Sequence, residues 1–221
     1  KNRLVREFAD YRIAALRDPR FTLYESRAEF ISPHDIRAGD IRIRGQAFVI
    51  ATGSTAHEVS IPGLDDAGYQ TSDTILDLRR PPVSLLVLGG GPVAVELGQF
   101  FARIGSKVTI LQRSATLLSH MDADVGRALE ASFREEGIEV VTDVSLQRVT
   151  QTPSEKTVHM IQGGGIQTRS GETILQALGR RPNLHELGLE AAGVQVVGGR
   201  LTVGPDMRTS QPHIFAVGDV N

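Results

Sequence analysis

Apolar positions near the start of the chain recur at helical spacing, with Leu4, Phe8, Tyr11 and Ala15 in phase and Asp18-Pro19 ending the pattern. An amphipathic helix is predicted there. The period then shortens. Residues 21–24, 28–31, 41–44 and 47–51 read as β runs parted by turn signals at Ser32-Pro33, Ala38-Gly39 and Gly45, which predicts a small antiparallel meander. After Thr52-Gly53-Ser54 a loop runs to Ile61-Pro62-Gly63, residues 71–78 read as a short helix, and Pro81-Pro82 reads as a stiff linker. An unbroken apolar run, Leu85-Leu86-Val87-Leu88, then meets Gly89-Gly90-Gly91 and is followed by a helical pattern and a β run over 107–111. Beyond it the pattern predicts a helix over 122–136, with Val125, Leu129 and Phe133 as its apolar stripe and Gly137 as its C-cap. A third parallel strand is expected over 138–141. Further β runs are expected at 144–149, 157–161, 165–168 and 173–178, with a hairpin at Gly163-Gly164-Gly165. Residues 194–197 and 200–203 read as a closing hairpin around Gly198-Gly199.

Strand, glycine turn, helix and strand follow one another here in the order a dinucleotide-binding βαβ unit requires. Gly89 lets the chain turn tightly, and Gly91 has no side chain to keep a pyrophosphate from the backbone. Pro92 and Val93 open the helix, and Ala94 lets it lie close on the sheet. An anion is favoured at that helix N-terminus by free N–H groups and the positive dipole end. The flanking strands favour nucleotide binding over a purely structural turn. Gly163-Gly164-Gly165 shares the composition only, since no apolar strand feeds it and no helix leaves it.

Composition narrows the class. The 221 residues are 40% hydrophobic and 23% charged, with a net charge of −2, which argues against nucleic acid as a partner. No window is apolar enough to cross a bilayer and no secretory signal pattern opens the chain, so no membrane association and a cytoplasmic location are expected. Cysteine is absent, which excludes disulfides, thiolate metal sites and thiol chemistry within these residues. The six histidines (34, 57, 120, 159, 185 and 213) show no ligand spacing, so no metal site is expected.

Four motifs stand in a familiar order: AFVIATGS at 47–54, GGGPVAVELG at 89–98, ALGRRPN at 177–183 and TSQPHIFAVGD at 209–219. The chain resembles the middle of a pyridine nucleotide–disulfide oxidoreductase, the flavoprotein family of glutathione reductase, dihydrolipoamide dehydrogenase and mercuric reductase. The tract Arg113-Ser114, Leu117-Leu118, Met121-Asp122 leans toward mercuric reductase-like members. The resemblance implies an α/β fold: a Rossmann-like doubly wound parallel sheet with an antiparallel meander, forming a complete NAD(P)H domain over 82–204. It implies that 1–81 and 205–221 are parts of an FAD domain, in which Ala28, Thr52, Gly53, Gly218 and Asp219 contact FAD. The family's opening FAD fingerprint, its CxxxxC redox pair and its dimerisation domain find no counterpart here. The chain is therefore expected to be a central fragment, inactive by itself, of a homodimeric parent acting on a small-molecule or disulfide acceptor.

The same resemblance places NADP contacts at Gly89, Gly91, Pro92, Val93, Ala94, Gln112, Arg113, Val144, Gly179 and Arg180. Gln112 stands where NAD-using relatives carry glutamate, and Arg113 matches the first arginine of NADPH-using relatives, so NADP is favoured over NAD. Ser119 replaces their second arginine. A solvated strand-end cation is the alternative for Arg113, and a core valine for Val144. Glu96, placed in the first turn of the nucleotide helix, matches the glutamate that pairs with a flavin-side lysine, the alternative being an acid that complements the helix dipole. Pro92 departs from the aromatic that relatives place over the nicotinamide. No catalytic residue is expected within the chain. Alternatives are an NADH-linked dihydrolipoamide dehydrogenase-type member and a non-catalytic dinucleotide-binding module.

Overall fold

The computed structural model describes residues 2–221, with side chains from Arg3 onward. They form two compact units, residues up to Gly53 together with Pro182–Asn221, and Ser54–Arg181. The chain opens with α1 (Asn2–Leu16), where the helical spacing expects it, yet Leu4, Phe8 and Tyr11 remain 61%, 62% and 72% exposed. Residues 21–24 form no strand, contrary to expectation. The Phe21 N–H turns back onto the Asp18 carbonyl at 2.9 Å, and no partner strand is available to hold the run extended. β1 (Ala28–Ser32), β2 (Asp35–Ala38) and β3 (Ile41–Arg44) make the expected antiparallel meander in the order β1-β2-β3. β2 was hidden by Asp35 and Arg37, charged residues that mask a strand pattern. β4 (Phe48–Ile50) leaves the meander and pairs in parallel much later in the chain.

The second unit starts with β5 (Ser54–Ala56), α2 (Leu64–Ala67) and, where a helix over 71–78 was expected, a single 3₁₀ turn at Ile75–Asp77. β6 (Ser84–Leu88), α3 (Pro92–Arg103) and β7 (Lys107–Leu111) follow the predicted βαβ pattern. Next come α4 (Ala123–Glu135) and β8 (Glu139–Val141). Gly137 ends α4 at φ +77, its N–H on the Arg134 carbonyl and that of Ile138 on Phe133. Of the expected stripe of α4, Phe133 is buried and Leu129 packs partly buried against the same core, whereas Val125 is 43% exposed and Gly126 beside it is buried. β9 (Ser145–Gln151), β10 (Lys156–Gln162) and β11 (Gly165–Gly171) form an antiparallel sheet, and Gly163-Gly164 turn between β10 and β11 at φ +56 and +79. β12 (Thr173–Gln176) returns beside β6 before β13 (Arg180–Pro182).

β12, β6, β7 and β8 form one parallel sheet in that order. Both faces of β6 are covered, so its sequence reads as an unbroken apolar run and not as an alternation. Leu85 and Val87 pack with Ala94, Phe101 and Phe133 from α3 and α4. Leu86 and Leu88 pack the other way, against Leu64, Val149, Val158 and Met160 from α2, β9 and β10. Residues 54–81, expected with the preceding domain, belong to this body. Leu64 and Ile75 are fully buried in its two cores, and the Gln70 N–H bonds the Ile174 carbonyl at 2.8 Å. Pro82 lies within this unit too, its carbonyl accepting the buried Ser106 hydroxyl at 2.6 Å.

The remaining stretch holds α5 (Leu189–Ala192), the hairpin β14 (Val196–Val197) and β15 (Arg200–Leu201), and β16 (Ile214–Ala216). β16 runs parallel to β4, with Ile214 opposite Phe48 and Ala216 opposite Ile50. Phe30, Ile50, Leu189, Ala192, Leu201 and Ile214 form the core of this unit. Among the described residues no helix is long and apolar enough to cross a membrane.

Candidate functional site

The turn that leaves β6 is built for close approach. Gly89 sits at φ +108, and a Cβ there would run into the Ala177 carbonyl oxygen. A Cβ on Gly90 would stand 2.8 Å from the Gln112 amide carbon and 2.9 Å from a Leu117 methyl. Gly91 differs: nothing lies within 4 Å of where its Cβ would be, so its bare backbone faces open space. It caps α3, whose first residue, Pro92, occupies the one position where a missing N–H costs nothing. Val93 and Ala94 follow in the first turn, whose N–H groups have no carbonyl a turn earlier within the helix. Ala94 is fully buried, and Gly98 one turn on brings the helix to within 3.3 Å of Ile110 as measured from an added Cβ. Gly98 was not singled out from sequence, although its spacing of four from Ala94 was the available signal. Open glycine, helix N-terminus and strand carboxyl end together form a cradle that fits a diphosphate.

β7 ends beside this turn, since Leu111 is paired with Leu88. Gln112 is 8% exposed and folded inward. Its Oε1 accepts the Arg113 N–H at 3.0 Å and its Nε2 donates to the Thr116 carbonyl at 3.2 Å, which shapes the loop after β7. Arg113 is exposed, and among the described residues its guanidinium has no hydrogen-bond or ion-pair partner. Val144 is 2% exposed and belongs to the core with Leu88, Leu111 and Val141, while its N–H donates to the Gln112 carbonyl at 3.2 Å. Glu96 is the fifth residue of α3 and no acid occupies the first turn. The placement of Glu96 in that turn, and with it the dipole alternative, is thereby corrected, because the dipole effect fades within one turn.

Gly179 takes φ +122, and its carbonyl accepts the His57 N–H at 2.9 Å. Arg180 is held in place by its neighbours. Its Nε donates to Ser54 Oγ at 2.8 Å, one Nη to the Ser54 carbonyl at 2.7 Å, and the other to Ser72 Oγ at 2.7 Å with Asp73 at 3.5 Å. The anchors Ser54, Ser72 and Asp73 went unnoticed in the sequence because they lie far from Arg180 along the chain.

In the other unit the parallel pair β4 and β16 brings two loops to the same end. Thr52-Gly53 leave β4, and Gly218-Asp219 leave β16. Gly53 and Gly218 have φ +69 and +74, with open space where a Cβ would stand. Thr52 Oγ1 donates to the Asn183 carbonyl at 2.7 Å, and Asn183 Nδ2 returns a bond to the Thr52 carbonyl at 2.9 Å. These bare loops fit a ligand that approaches the backbone closely. Ala28 opens β1 opposite Ala38, on the meander.

Residues 4–221 match the family model described as pyridine nucleotide-disulphide oxidoreductase. The chain belongs to that family. A mercuric reductase of Bacillus cereus is 35% identical over the whole chain, which spans 35% of that protein. A dihydrolipoyl dehydrogenase of Chlorobaculum tepidum is 37% identical over 82% of the chain, corresponding to 39% of its own length. Among solved structures, the HOCl-induced flavoprotein disulfide reductase RclA of Escherichia coli superposes with a TM-score of 0.86 at 29% identity, over 99% of this chain and 50% of that one. The chain thus covers between about a third and a half of these oxidoreductases.

Proposed function

We propose that the chain carries the nicotinamide-nucleotide site, and part of the flavin site, of an NADPH-dependent flavoprotein oxidoreductase. The observation that carries this reading is the open Gly91 backbone at the N-terminus of α3, with the exposed Arg113, whose guanidinium has no partner among the described residues, just past the end of the neighbouring strand. Gly89, Gly91, Val93 and Ala94 would hold the diphosphate. Arg113 would meet a 2′-phosphate, which a carboxylate there would repel. Gln112 shapes the loop without presenting an acid to a ribose, and Gly179 and Arg180 would close the far end. Thr52, Gly53, Gly218, Asp219 and Ala28 would hold FAD. Bound nicotinamide and flavin rings supply the hydride chemistry, while the chain supplies their binding and orientation. The names of its relatives point to mercuric ion or disulfides as acceptors. The chain has no cysteine, so any thiol in that reaction comes from outside these 221 residues. An NADH-linked reading is favoured by one observation, Ser119 in place of a second phosphate-binding cation.

Calorimetric titration of the chain with NADPH and NADH tests the proposal. NADPH should bind more tightly, and Arg113→Glu should weaken it by about ten- to a hundredfold, the loss of a charge-assisted contact of roughly 1.5–3 kcal/mol. NADH affinity should stay within about twofold, since its ribose carries no phosphate to lose that contact. Tighter NADH binding by the unaltered chain would overturn the cofactor choice, and binding of neither nucleotide the whole reading.

A further inference from the structure

The loop that carries Arg113 is pinned at both ends, and its far end is held by a side chain that plays no part in the site so far. Past the Gln112 bonds, Leu117 is fully buried in the core with Leu85, Val87 and Phe133. Its N–H donates to Glu130 Oε1, on α4, at 2.9 Å. Glu130 is half-buried, and among the described residues its carboxylate has no cation partner. A charge partly withdrawn from water needs compensation, and here a single backbone N–H supplies it. The next residue, Leu118, takes φ +49, the left-handed region that is costly for a residue with a side chain. Its N–H donates to the Gly90 carbonyl at 2.8 Å, inside the glycine turn itself. Strained backbone of this kind persists only where its surroundings over-determine it, and it gathers at sites that hold a ligand.

One short loop thus joins three parts: Arg113 through Gln112, α4 through Glu130, and the glycine turn through Leu118. We propose that Glu130 is a positioning residue for cofactor choice, which holds the Leu117 N–H, keeps Leu118 in its strained conformation and so keeps Arg113 placed for a 2′-phosphate. This deepens the NADPH reading and rests on it. Without the carboxylate, the buried Leu117 N–H loses its acceptor and Leu118 is free to relax out of the left-handed region. The span from Leu118 back to Arg113 then slackens. The diphosphate cradle has its own supports, because the Gly89 N–H donates to the Leu111 carbonyl at 2.9 Å and Ala94 is fully buried against the sheet. The loss therefore falls on the 2′-phosphate contact and spares the contacts that NADH shares.

Calorimetric titration with NADPH and NADH tests the proposal in the unaltered chain, Glu130→Met, Glu130→Gln, Arg113→Ala and the double variant Glu130→Met, Arg113→Ala. Glu130→Met should weaken NADPH about tenfold, near the low end of the whole Arg113 contact, and NADH by less than about twofold. Glu130→Gln keeps an oxygen for the Leu117 N–H and should bind NADPH within about threefold of the unaltered chain. In the Arg113→Ala background, Glu130→Met should weaken NADPH by no more than about twofold, since no cation is left to misplace. A merely structural role would weaken both nucleotides in both backgrounds, which overturns the proposal. On the unaltered chain, bound NADPH should slow amide hydrogen exchange at Leu117 and Leu118 more than bound NADH does at equal occupancy. Equal slowing overturns the proposal whether or not the variants fold. If the unaltered chain shows no preference for NADPH, the NADPH reading fails and this inference with it. If that preference exists, is lost in Arg113→Ala and survives Glu130→Met, only the role of Glu130 fails.

Discussion

At the N-terminal end of β2, the Asp35 carboxylate accepts the Ser32 hydroxyl at 2.6 Å and the Arg42 guanidinium at 3.1–3.2 Å. The hydrogen bond from Arg42 and then that from Ser32 lower its pKa from 3.8 to about 2. Because the folded value lies below the unfolded one, the stabilisation is present above about pH 4 and is lost as pH falls toward 2. Asp35→Asn should therefore lower the melting temperature at neutral pH and flatten its decline between pH 4 and 2. Parallel decline in both proteins, followed by circular dichroism, would show that Asp35 contributes nothing to acid unfolding. Single residues were legible from sequence where local order defines them, as with Gly89 and Gly91 between a strand and a helix. Arg180 was legible as a position but not as a bonded group. Its partners Ser54, Ser72 and Asp73 precede it by more than a hundred residues, and only the folded sheet brings them to it.

Among the elements, α4 shows tertiary packing overriding local preference. Gly126 lies inside this helix, where alanine would ordinarily be favoured by about 1 kcal/mol. Here an added Cβ would press into the Leu117 carbonyl oxygen, and the Thr116 Cβ would be 3.0 Å away. Overpacking against backbone costs about 1–3 kcal/mol, so the clash wins. Gly126→Ala should destabilise the chain, by up to about 2 kcal/mol in urea titrations. A gain in stability would mean that the loop before α4 yields easily. The same competition explains which elements were readable. β6 and β7 carry apolar runs long enough to announce a strand buried on both faces. Residues 21–24 carry a similar pattern over a shorter run, yet lack a partner strand. β2 has the partners without the pattern, because its charged residues Asp35 and Arg37 serve a two-stranded contact on the meander. Val125 looked apolar at the right spacing, but Gly126 takes the buried position beside it.

For the molecule as a whole, the unit boundaries can be tested directly. Ser54–Arg181 contains the glycine turn, Gln112, Arg113 and both cores around the parallel sheet. Expressed alone, it should fold cooperatively and bind NADPH like the full chain. A version starting at Pro82 loses Leu64 and Ile75, both 0% exposed. Each such loss costs about 2–5 kcal/mol, against a total domain stability of about 5–15 kcal/mol, so the shorter piece should be largely unfolded. Equal melting curves for the two pieces would restore the proline pair as the boundary. The pairing of β4 with β16 has a further consequence, for the order of events during synthesis. Ile214–Ala216 leaves the ribosome only after every residue of Ser54–Arg181 has been made. The inserted unit can therefore complete its sheet while β4 still waits for its parallel neighbour. Until β16 arrives, the edge of β4 and the apolar side of Ile50 stay open to solvent, so the nascent chain passes through an interval in which half of the discontinuous unit is exposed to mispairing and to chaperones.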